Sequence, residues 1–144
     1  MSLVVHATCI CRRVGSVWRA ALLFGPPGSG KSDMALRGLA HGWRLVSDDY
    51  CVVWASGDRI WARAPAAIAD RIEARGLGVL DLPRRDLAEV VVAVRCETGP
   101  VERMPEPDFW SEAGPPVPLV ALNALESSAL FKLERVVSTR VLGA

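Results

Sequence analysis

The stretch RAALLFGPPGSGKSDMALRGLAH, residues 19–41, joins an apolar run, a glycine-rich segment and a helical pattern. The apolar residues of Arg19–Gly25 predict a buried strand. From Ser32 to about His41, apolar residues recur at helical spacing, and Gly42 is placed to end the predicted helix. A strand that leads through a glycine loop into a helix predicts an α/β domain organised around that loop.

The segment between strand and helix, GPPGSGKS, fits the P-loop pattern G-x-x-x-x-G-K-[ST]. Glycines let the backbone bend around a phosphate and direct successive N–H groups inward, and the following helix adds its positive end. Lys31 supplies a compact charge for the β- and γ-phosphates, and the Ser32 hydroxyl can hold Mg²⁺. The predicted nucleotide-binding residues are Gly25, Pro26, Pro27, Gly28, Ser29, Gly30, Lys31 and Ser32.

The remainder of the chain predicts further elements around this unit. Strands are expected at residues 3–10, 44–47, 51–55, 59–64 and 87–96. We expect a short helix at residues 66–74, a proline-rich loop at 102–118, and a last helix from an N-cap at Asn123 to about Leu142. Several strands follow each other through short turns, so the predicted fold is α/β, a P-loop-containing mixed sheet flanked by helices, in one domain over residues 1–144.

The bulk composition excludes several classes of protein. Half of the residues are apolar and the net charge is +1, which gives no electrostatic argument for binding nucleic acid or an anionic membrane. No apolar stretch reaches the roughly 18 residues of a membrane-spanning helix, and the N-terminus lacks the order of a secretory signal, so the cytoplasm is expected. The four cysteines are interpreted as buried, reduced thiols rather than metal ligands: Cys9, Cys11, Cys51 and Cys96.

A second feature is the segment WRLVSDDYCVV, residues 43–53, in which two adjacent acids interrupt an apolar run. Asp48, the first, lies seventeen residues after Lys31, so strand, loop, helix and strand bring the pair back toward the nucleotide edge of the sheet. One carboxylate could orient a metal, and the other could accept the proton of a hydroxyl that attacks the γ-phosphate. Alternatively, Asp48 and Asp49 begin a hairpin and cap backbone groups.

Three segments in this order resemble a known family. They are G-P-P-G-S-G-K-S-D-M-A-L-R, G-W-R-L-V-S-D-D-Y and E-A-R-G-L-G-V. They are similar to the catalytic domain of HPr kinase/phosphorylase, in which a P-loop and helix lead without gaps to L-[VI]-A-D-D-[RQ] and then to E-I-R-G-L-G-I. The resemblance is dense from Leu22 to Leu82 and thin after Arg103, and it looks like the short α-proteobacterial form that lacks the N-terminal domain.

The resemblance implies roles for the loop and the acids. The loop Gly25–Ser32 would hold ATP, with Lys31 on the phosphates and Ser32 on Mg²⁺. Asp48 and Asp49 match the acidic pair that provides the base for a serine hydroxyl of the partner protein. Which of the two acids is the base stays open, and Asp48 is also a candidate metal ligand.

Four further site residues follow from the resemblance alone. Glu73 matches the glutamate assigned to Mg²⁺, and Arg75 belongs to the signature segment Arg75–Gly78 beside the γ-phosphate. His6 falls near the family's histidine upstream of the P-loop. Arg103 corresponds to the arginine of the family's D-R-L-G motif.

The chain departs from the family pattern at a later loop. The long forms carry P-V-x-x-G-R, which is tied to removal of the phosphate by inorganic phosphate, whereas the corresponding region here is V-P-L-V-A-L-N-A-L-E. Loss of an arginine from such a pocket weakens phosphate binding. A kinase with weak or absent phosphorylase activity is therefore expected.

The resemblance implies a protein-serine kinase that uses ATP and Mg²⁺. Its partner would be the phosphocarrier protein HPr or its nitrogen-related counterpart, and it would form a homo-oligomer, hexameric in the longer family members. Two alternatives remain open: a P-loop kinase for a small molecule, and a nucleotide-sensing module that signals through a partner without phosphoryl transfer.

Overall fold

The computed structural model of the chain describes residues 1–66, 71–74, 78–81 and 83–139. These residues form strands and helices in the following order: β1 (Ser2–Val5), β2 (Thr8–Val14), β3 (Val17–Phe24), α1 (Lys31–Leu39), β4 (Arg44–Ser47), β5 (Cys51–Ser56), β6 (Arg59–Arg63), β7 (Arg71–Ala74), β8 (Gly78–Asp81), β9 (Leu87–Glu97), β10 (Phe109–Trp110), β11 (Val117–Asn123) and α2 (Ala129–Ser138). The predicted mixed α/β sheet is confirmed.

Strand β9 is the centre of the sheet. On one side it pairs in parallel with β3. On the other side it pairs antiparallel with β6 at its beginning and in parallel with β11 at its end. Its sequence, LAEVVVAVRCE, is rich in β-branched residues, as expected of a strand covered on both faces. Strand β4 runs parallel to β3 because both pair antiparallel with the intervening β2. The carboxyl ends of β3, β4, β9 and β11 therefore lie at one edge of the sheet.

The strand pairings form a closed circuit. β2 pairs with β3, β3 with β9, β9 with β6, β6 with β5, and β5 with β1. Only His6 and Ala7 separate β1 from β2, so the covalent connection between these two strands closes the circuit. Every strand of the circuit contributes side chains to one buried cluster, which includes Cys9, Leu22 and Ile60. The sheet therefore curves around this cluster.

The outer face of the sheet carries a second buried cluster under the two helices. Met34 of α1 and Leu133 of α2 pack in it with Leu23 and Val92 of the sheet. Leu22 and Leu23 are consecutive residues of β3 and belong to opposite clusters, as the period of a strand requires. Both faces of the central sheet are thus covered.

Two antiparallel residue pairs keep a common alignment across an interruption, before the register of β2 against β4 shifts by one residue between Cys9 and Ile10. Val5 of β1 pairs with Cys51 of β5, and Cys9 of β2 pairs with Ser47 of β4. Three residues on each side separate these pairs, 6–8 on one and 48–50 on the other. Regular pairing stops over these residues although the alignment continues, so side chains that would otherwise be cross-strand neighbours are available for a site.

Several predicted elements are confirmed, with small shifts of their ends. The helix expected from Ser32 is α1, which begins at Lys31, and the strands expected at residues 44–47 and 87–96 are β4 and β9. The hairpin of β5 and β6 has the expected position. Gly42 has a φ of 89° just after α1, which fits its predicted role at the end of the helix.

Two predictions in the first half of the chain are wrong. The strand expected at residues 3–10 is two strands, because the chain turns at His6 and Ala7 to pass from one part of the curved sheet to the next. The helix expected at residues 66–74 is also wrong, because its last four residues, Arg71–Ala74, form β7 and pair with β8. The four residues R-I-E-A alternate polar and apolar types, which favours a strand.

The end of the chain also differs from expectation. The loop predicted up to Pro118 overlaps β11, a strand that the prolines around it concealed. Asn123 is not the N-cap of the last helix: it ends β11, and its Oδ1 accepts a hydrogen bond of 3.1 Å from the Leu125 amide. Helix α2 begins later, at Ala129, with Ser128 as its N-cap. The expected continuation to Leu142 extends beyond the described residues.

Candidate functional site

The P-loop lies between β3 and α1 at the edge where the parallel strands end. Gly28 and Gly30 have φ values of 82° and 93°, a region that side chains with a Cβ disfavour. The Ser29 amide donates to the Pro26 carbonyl over 3.1 Å, which closes the turn, and Gly30 is the N-cap of α1. The sequence therefore folds locally as the motif predicts, with the first amides of α1 at the loop.

Gly25 permits a close approach that any other residue would block. A Cβ at this position would lie 2.6 Å from Ser29 Oγ and 2.8 Å from the Cys96 carbonyl oxygen. Ser29 itself is fully buried, and its hydroxyl has no hydrogen-bond partner among the described residues. The loop is thus packed directly on the end of β9, where Cys96 lies.

Lys31, the first residue of α1, reaches back over the loop. Its ammonium group donates to the Gly25 carbonyl and, over 3.5 Å, to the Pro26 carbonyl. Only 7% of the residue is exposed, which is unusual for a lysine. A cation in this position is suited to hold phosphate oxygens that lie in the loop.

Asp48 connects the acidic segment to the P-loop. Its Oδ1 accepts hydrogen bonds from Thr8 Oγ1 at 2.8 Å and from Ser32 Oγ at 2.9 Å. The residue is 8% exposed, so this carboxylate is fixed in a largely buried position. We refer to Gly25–Ser32 together with Asp48 as the phosphate wall.

Asp49 lies differently although it is the next residue. Its side chain is 66% exposed, and its Oδ1 lies 3.8 Å from Nε2 of His6, whose side chain is 50% exposed. Its backbone φ of 67° is uncommon for a residue other than glycine, although aspartate tolerates it better than most. This conformation turns the two acids in different directions. We refer to His6, Asp49 and Tyr50 as the open wall.

Residues of both walls line a cleft of about 590 Å³, among them Lys31 and Asp48 from one wall and His6 and Asp49 from the other. Leu125 lines it as well, in a turn that the Arg37 guanidinium holds by hydrogen bonds to the carbonyls of Ala124 and Glu126. A Cβ on Gly30 would lie 2.8 Å from Leu125 Cδ2, so this side chain rests on the loop. Leu125 falls within the predicted last helix, but it lies in the turn and is 56% exposed.

The oxygen donors at the phosphate wall fit Mg²⁺. Ser32 Oγ and Asp48 Oδ1 lie 2.9 Å apart beside Lys31 and the loop. Mg²⁺ binds hard oxygen ligands and uses only one or two carboxylates together with substrate phosphates and water. Within the described residues there is no cluster of three or more His, Cys, Asp or Glu side chains that would form a complete metal site.

The other predicted site residues are placed less closely. Glu73 lies in β7, which is adjacent to α1, and Arg75 lies outside the described residues. Arg103 is exposed in the segment that follows β9, and it is not part of the cleft lining. Asn123 ends β11 at the P-loop edge, and its Nδ2 donates to the Gly99 carbonyl over 3.4 Å. The segment that contains Gly99 therefore leaves the sheet at this edge. Their roles stay predictions.

Sequence reasoning missed three residues of the site: Leu125, which lines the cleft, and Thr8 and Tyr50, which contact the lining residues Asp48 and His6. Thr8 is a fully buried polar residue of β2. Its position two residues after His6 was the feature of the sequence that could have identified it. The ring of Tyr50 stacks on that of His6, with centroids 4.9 Å apart and an interplanar angle of 18°. The local sequence gives no signal for Leu125, because its place depends on where β11 ends.

The four cysteines are free and buried, as predicted. Burial raises the pKa of the Cys96 thiol to about 11, although the nearby Lys31 charge acts in the opposite direction. Burial also raises the pKa of Cys11 to about 12, and that of Cys9 rises for the same reason. Enclosed thiols with a raised pKa are poor nucleophiles and poor metal ligands. All four cysteine side chains belong to the two buried clusters.

Comparison with known proteins finds a family match in the part of the chain that contains the P-loop and the two acids. Residues 15–87 match the family model of the HPr Serine kinase C-terminal domain. The HPr kinase/phosphorylase of Cupriavidus metallidurans is 32% identical over 114 residues, which cover 71% of this chain and 35% of that protein. The one from Caldanaerobacter subterraneus is 44% identical over 62 residues, 42% of this chain and 20% of that protein. The chain spans about a third of the length of the first of these relatives.

A solved structure shows that the fold is similar as well. The Hpr(Ser) kinase/phosphatase from Coxiella burnetii superposes with a TM-score of 0.73 and covers 93% of this chain and 97% of that one, at 19% sequence identity. At this identity the likeness concerns the fold alone. No helix among the described residues is long and apolar enough to cross a membrane. With the family match over half of its length, the chain belongs to the HPr serine kinase C-terminal domain family.

Proposed function

We propose that this protein is an ATP-dependent kinase that phosphorylates a serine of an HPr-like phosphocarrier protein. The observation that carries the proposal is the different placement of the two consecutive acids. Asp48 is buried against Ser32 of the P-loop, whereas Asp49 faces the open cleft beside His6. A nucleotide and a second substrate could therefore be bound from opposite sides of one cleft.

The phosphate wall would bind ATP. Lys31 and the loop amides would hold the β- and γ-phosphates, and Ser32 and Asp48 would hold Mg²⁺. When bound, Mg²⁺ supplies positive charge that offsets the phosphate oxygens. Thr8 would keep the Asp48 carboxylate in position through its hydrogen bond of 2.8 Å. Phosphoryl transfer depends mainly on such positioning and charge neutralisation.

The open wall would receive the protein substrate. The serine Oγ attacks the γ-phosphorus, the bond to the β–γ bridging oxygen breaks, and ADP leaves. Asp49 would accept the proton of the hydroxyl, because its side chain is exposed to the cleft and is not held by the P-loop. His6, 3.8 Å from the Asp49 carboxylate, would orient it and stabilise its charge.

The reverse reaction is proposed to be weak or absent. The region that should supply the P-V-x-x-G-R loop contains β11 and the turn of residues 124–126, and it presents Leu125 to the cleft. An apolar side chain offers inorganic phosphate neither charge nor hydrogen bonds. Incubating the serine-phosphorylated carrier with excess phosphate and Mg²⁺ tests this point, and rapid release of pyrophosphate would contradict it.

Incubation with labelled ATP, Mg²⁺ and purified carrier proteins tests the proposal. We expect label on a serine of HPr or of its nitrogen-related counterpart, identified by mass spectrometry. Asp49→Asn should abolish transfer and keep ATP affinity, since Asp49 does not contact the P-loop. Asp48→Asn should weaken both transfer and the Mg²⁺-dependent binding of ATP. Tight ATP binding with no transfer to either carrier would favour a nucleotide-sensing module instead.

A further inference from the structure

Tyr50 is the one residue of the open wall with no role in the proposed chemistry. It occupies the position after the two acids, where the family motif has Arg or Gln. Tyr50 is the only tyrosine of the chain. Its ring lies over the imidazole of His6 at 4.9 Å and 18°, a geometry typical of attractive aromatic stacking.

The backbone around Tyr50 is fixed on both sides of the residue. Its amide donates to the Asp48 carbonyl over 2.8 Å, and its carbonyl accepts a hydrogen bond from the Ser47 hydroxyl. These bonds set where the ring leaves the chain. The ring is therefore presented by the same turn that gives Asp49 its positive φ.

The imidazole of His6 has few other contacts to fix it. Its side chain is half exposed, and the distance of 3.8 Å from Nε2 to Asp49 Oδ1 is longer than a direct hydrogen bond. An exposed side chain held by one long contact samples several rotamers. The stacked ring restricts that freedom, because His6 lies directly opposite Tyr50 in the interrupted ladder.

We propose that Tyr50 is a positioning residue, which holds the His6 imidazole in the orientation that faces Asp49. The consequence for catalysis rests on the proposed function, since it assumes that Asp49 and His6 act in phosphoryl transfer. The tyrosine hydroxyl makes no hydrogen bond within the described residues, so the ring face carries the effect.

Proton NMR of the imidazole groups tests the orientation without any assay of activity. The chain has two histidines, His6 and His41, which His6→Ala distinguishes. The ring current of Tyr50 should move the His6 imidazole resonances upfield. Tyr50→Phe should retain this shift and Tyr50→Ala should remove it, while the His41 resonances stay unchanged. Identical His6 resonances in wild type and Tyr50→Ala would overturn the inference, whatever the protein phosphorylates.

Kinetics test whether the orientation matters for transfer. Tyr50→Ala should lower kcat by roughly ten- to a hundred-fold, because small misplacements of reacting groups have large effects, and should leave KM for ATP unchanged. Tyr50→Phe should retain most of the activity. Phe109→Ala serves as the control, since Phe109 is an exposed aromatic residue of β10 whose ring does not stack on His6.

A double-mutant cycle separates action through His6 from a general structural effect. If Tyr50 acts through His6, Tyr50→Ala should have little further effect on kcat in a His6→Ala background. Additive losses, or an equal loss in Tyr50→Phe and Tyr50→Ala, would overturn the inference. Absence of transfer in the wild-type protein would refute the proposed function, and the NMR result would still decide the role of the ring.

Discussion

Lys31 and Asp48 on the phosphate wall are each more than nine-tenths buried, whereas His6, Asp49 and Tyr50 on the open wall expose half or more of their surface. The phosphate wall is fixed by backbone turns and by hydrogen bonds of 2.8 and 2.9 Å to one carboxylate. The side chains of the open wall are held by a ring stack and one long contact, although hydrogen bonds fix the backbone around Tyr50. A nucleotide site needs fixed, desolvated donors, while a site for a protein substrate has to stay accessible.

Of three changes at or beside the phosphate wall, removal of its cation should have the largest effect. We expect Lys31→Ala to reduce phosphoryl transfer by about a hundred- to a thousand-fold, the usual loss when one preorganised electrostatic contact to the reacting group is removed. Lys132→Ala is a matched control, since the only other lysine pairs with Glu126 at 3.6 Å with about half of its side chain exposed. Steady-state kinetics and ATP titration measure both variants. A loss below ten-fold in Lys31→Ala would remove this wall from the reaction.

A smaller effect should distinguish close packing from backbone strain within the same loop. Gly25→Ala and Gly28→Ala both place a Cβ at a positive φ, but only Gly25 has neighbours within 4 Å. We expect Gly25→Ala to lower the free energy of unfolding by about 1–3 kcal/mol more than Gly28→Ala, because the Cys96 carbonyl cannot move away easily. Urea unfolding followed by circular dichroism measures the difference. Equal losses would mean that the loop does not pack on β9 as described.

The smallest of the three effects should follow from Thr8→Val, which keeps the shape of the side chain. It removes the hydrogen bond to the buried Asp48 carboxylate and the longer one, 3.5 Å, that the Thr8 hydroxyl accepts from the Asp49 amide. The loss should lower the free energy of unfolding by about 1.5 kcal/mol. Thr139→Val is the control, since the Thr139 hydroxyl donates to the Arg135 carbonyl at an exposed helix end. If both variants unfold at the same urea concentration, Asp48 is held by Ser32 alone.

The phosphate wall was the part that the sequence could predict. The glycines, Lys31 and Ser32 are consecutive in the chain, so the conformation that they require is encoded locally. The loop and α1 accordingly lie where the pattern places them. The two acids were also identified, although their different burial depends on the turn at Asp49 and could not be derived from their adjacency.

The open wall and the turn at Leu125 could not be predicted in the same way. His6 and Tyr50 are far apart in the chain and meet because the alignment of Val5 with Cys51 continues for one more residue beyond each strand. Asn123 carries the same signal at a helix start and in a turn after a strand, since in both its side chain accepts an amide hydrogen bond. The strand before it was concealed by Pro116 and Pro118, although residues 119–123 pair with β9.

The shared alignment of the Val5–Cys51 and Cys9–Ser47 pairs has a consequence for changes in chain length. Val5 faces Cys51 and Cys9 faces Ser47, so each connecting segment contains the same number of residues. Adding or deleting a single residue at 6–8 or 48–50 would invert the inward and outward faces of β1 relative to β2, or of β5 relative to β4. Surface loops usually accept such changes, but these two segments should reject insertions and deletions, whereas a substitution within them leaves the faces of the strands in place.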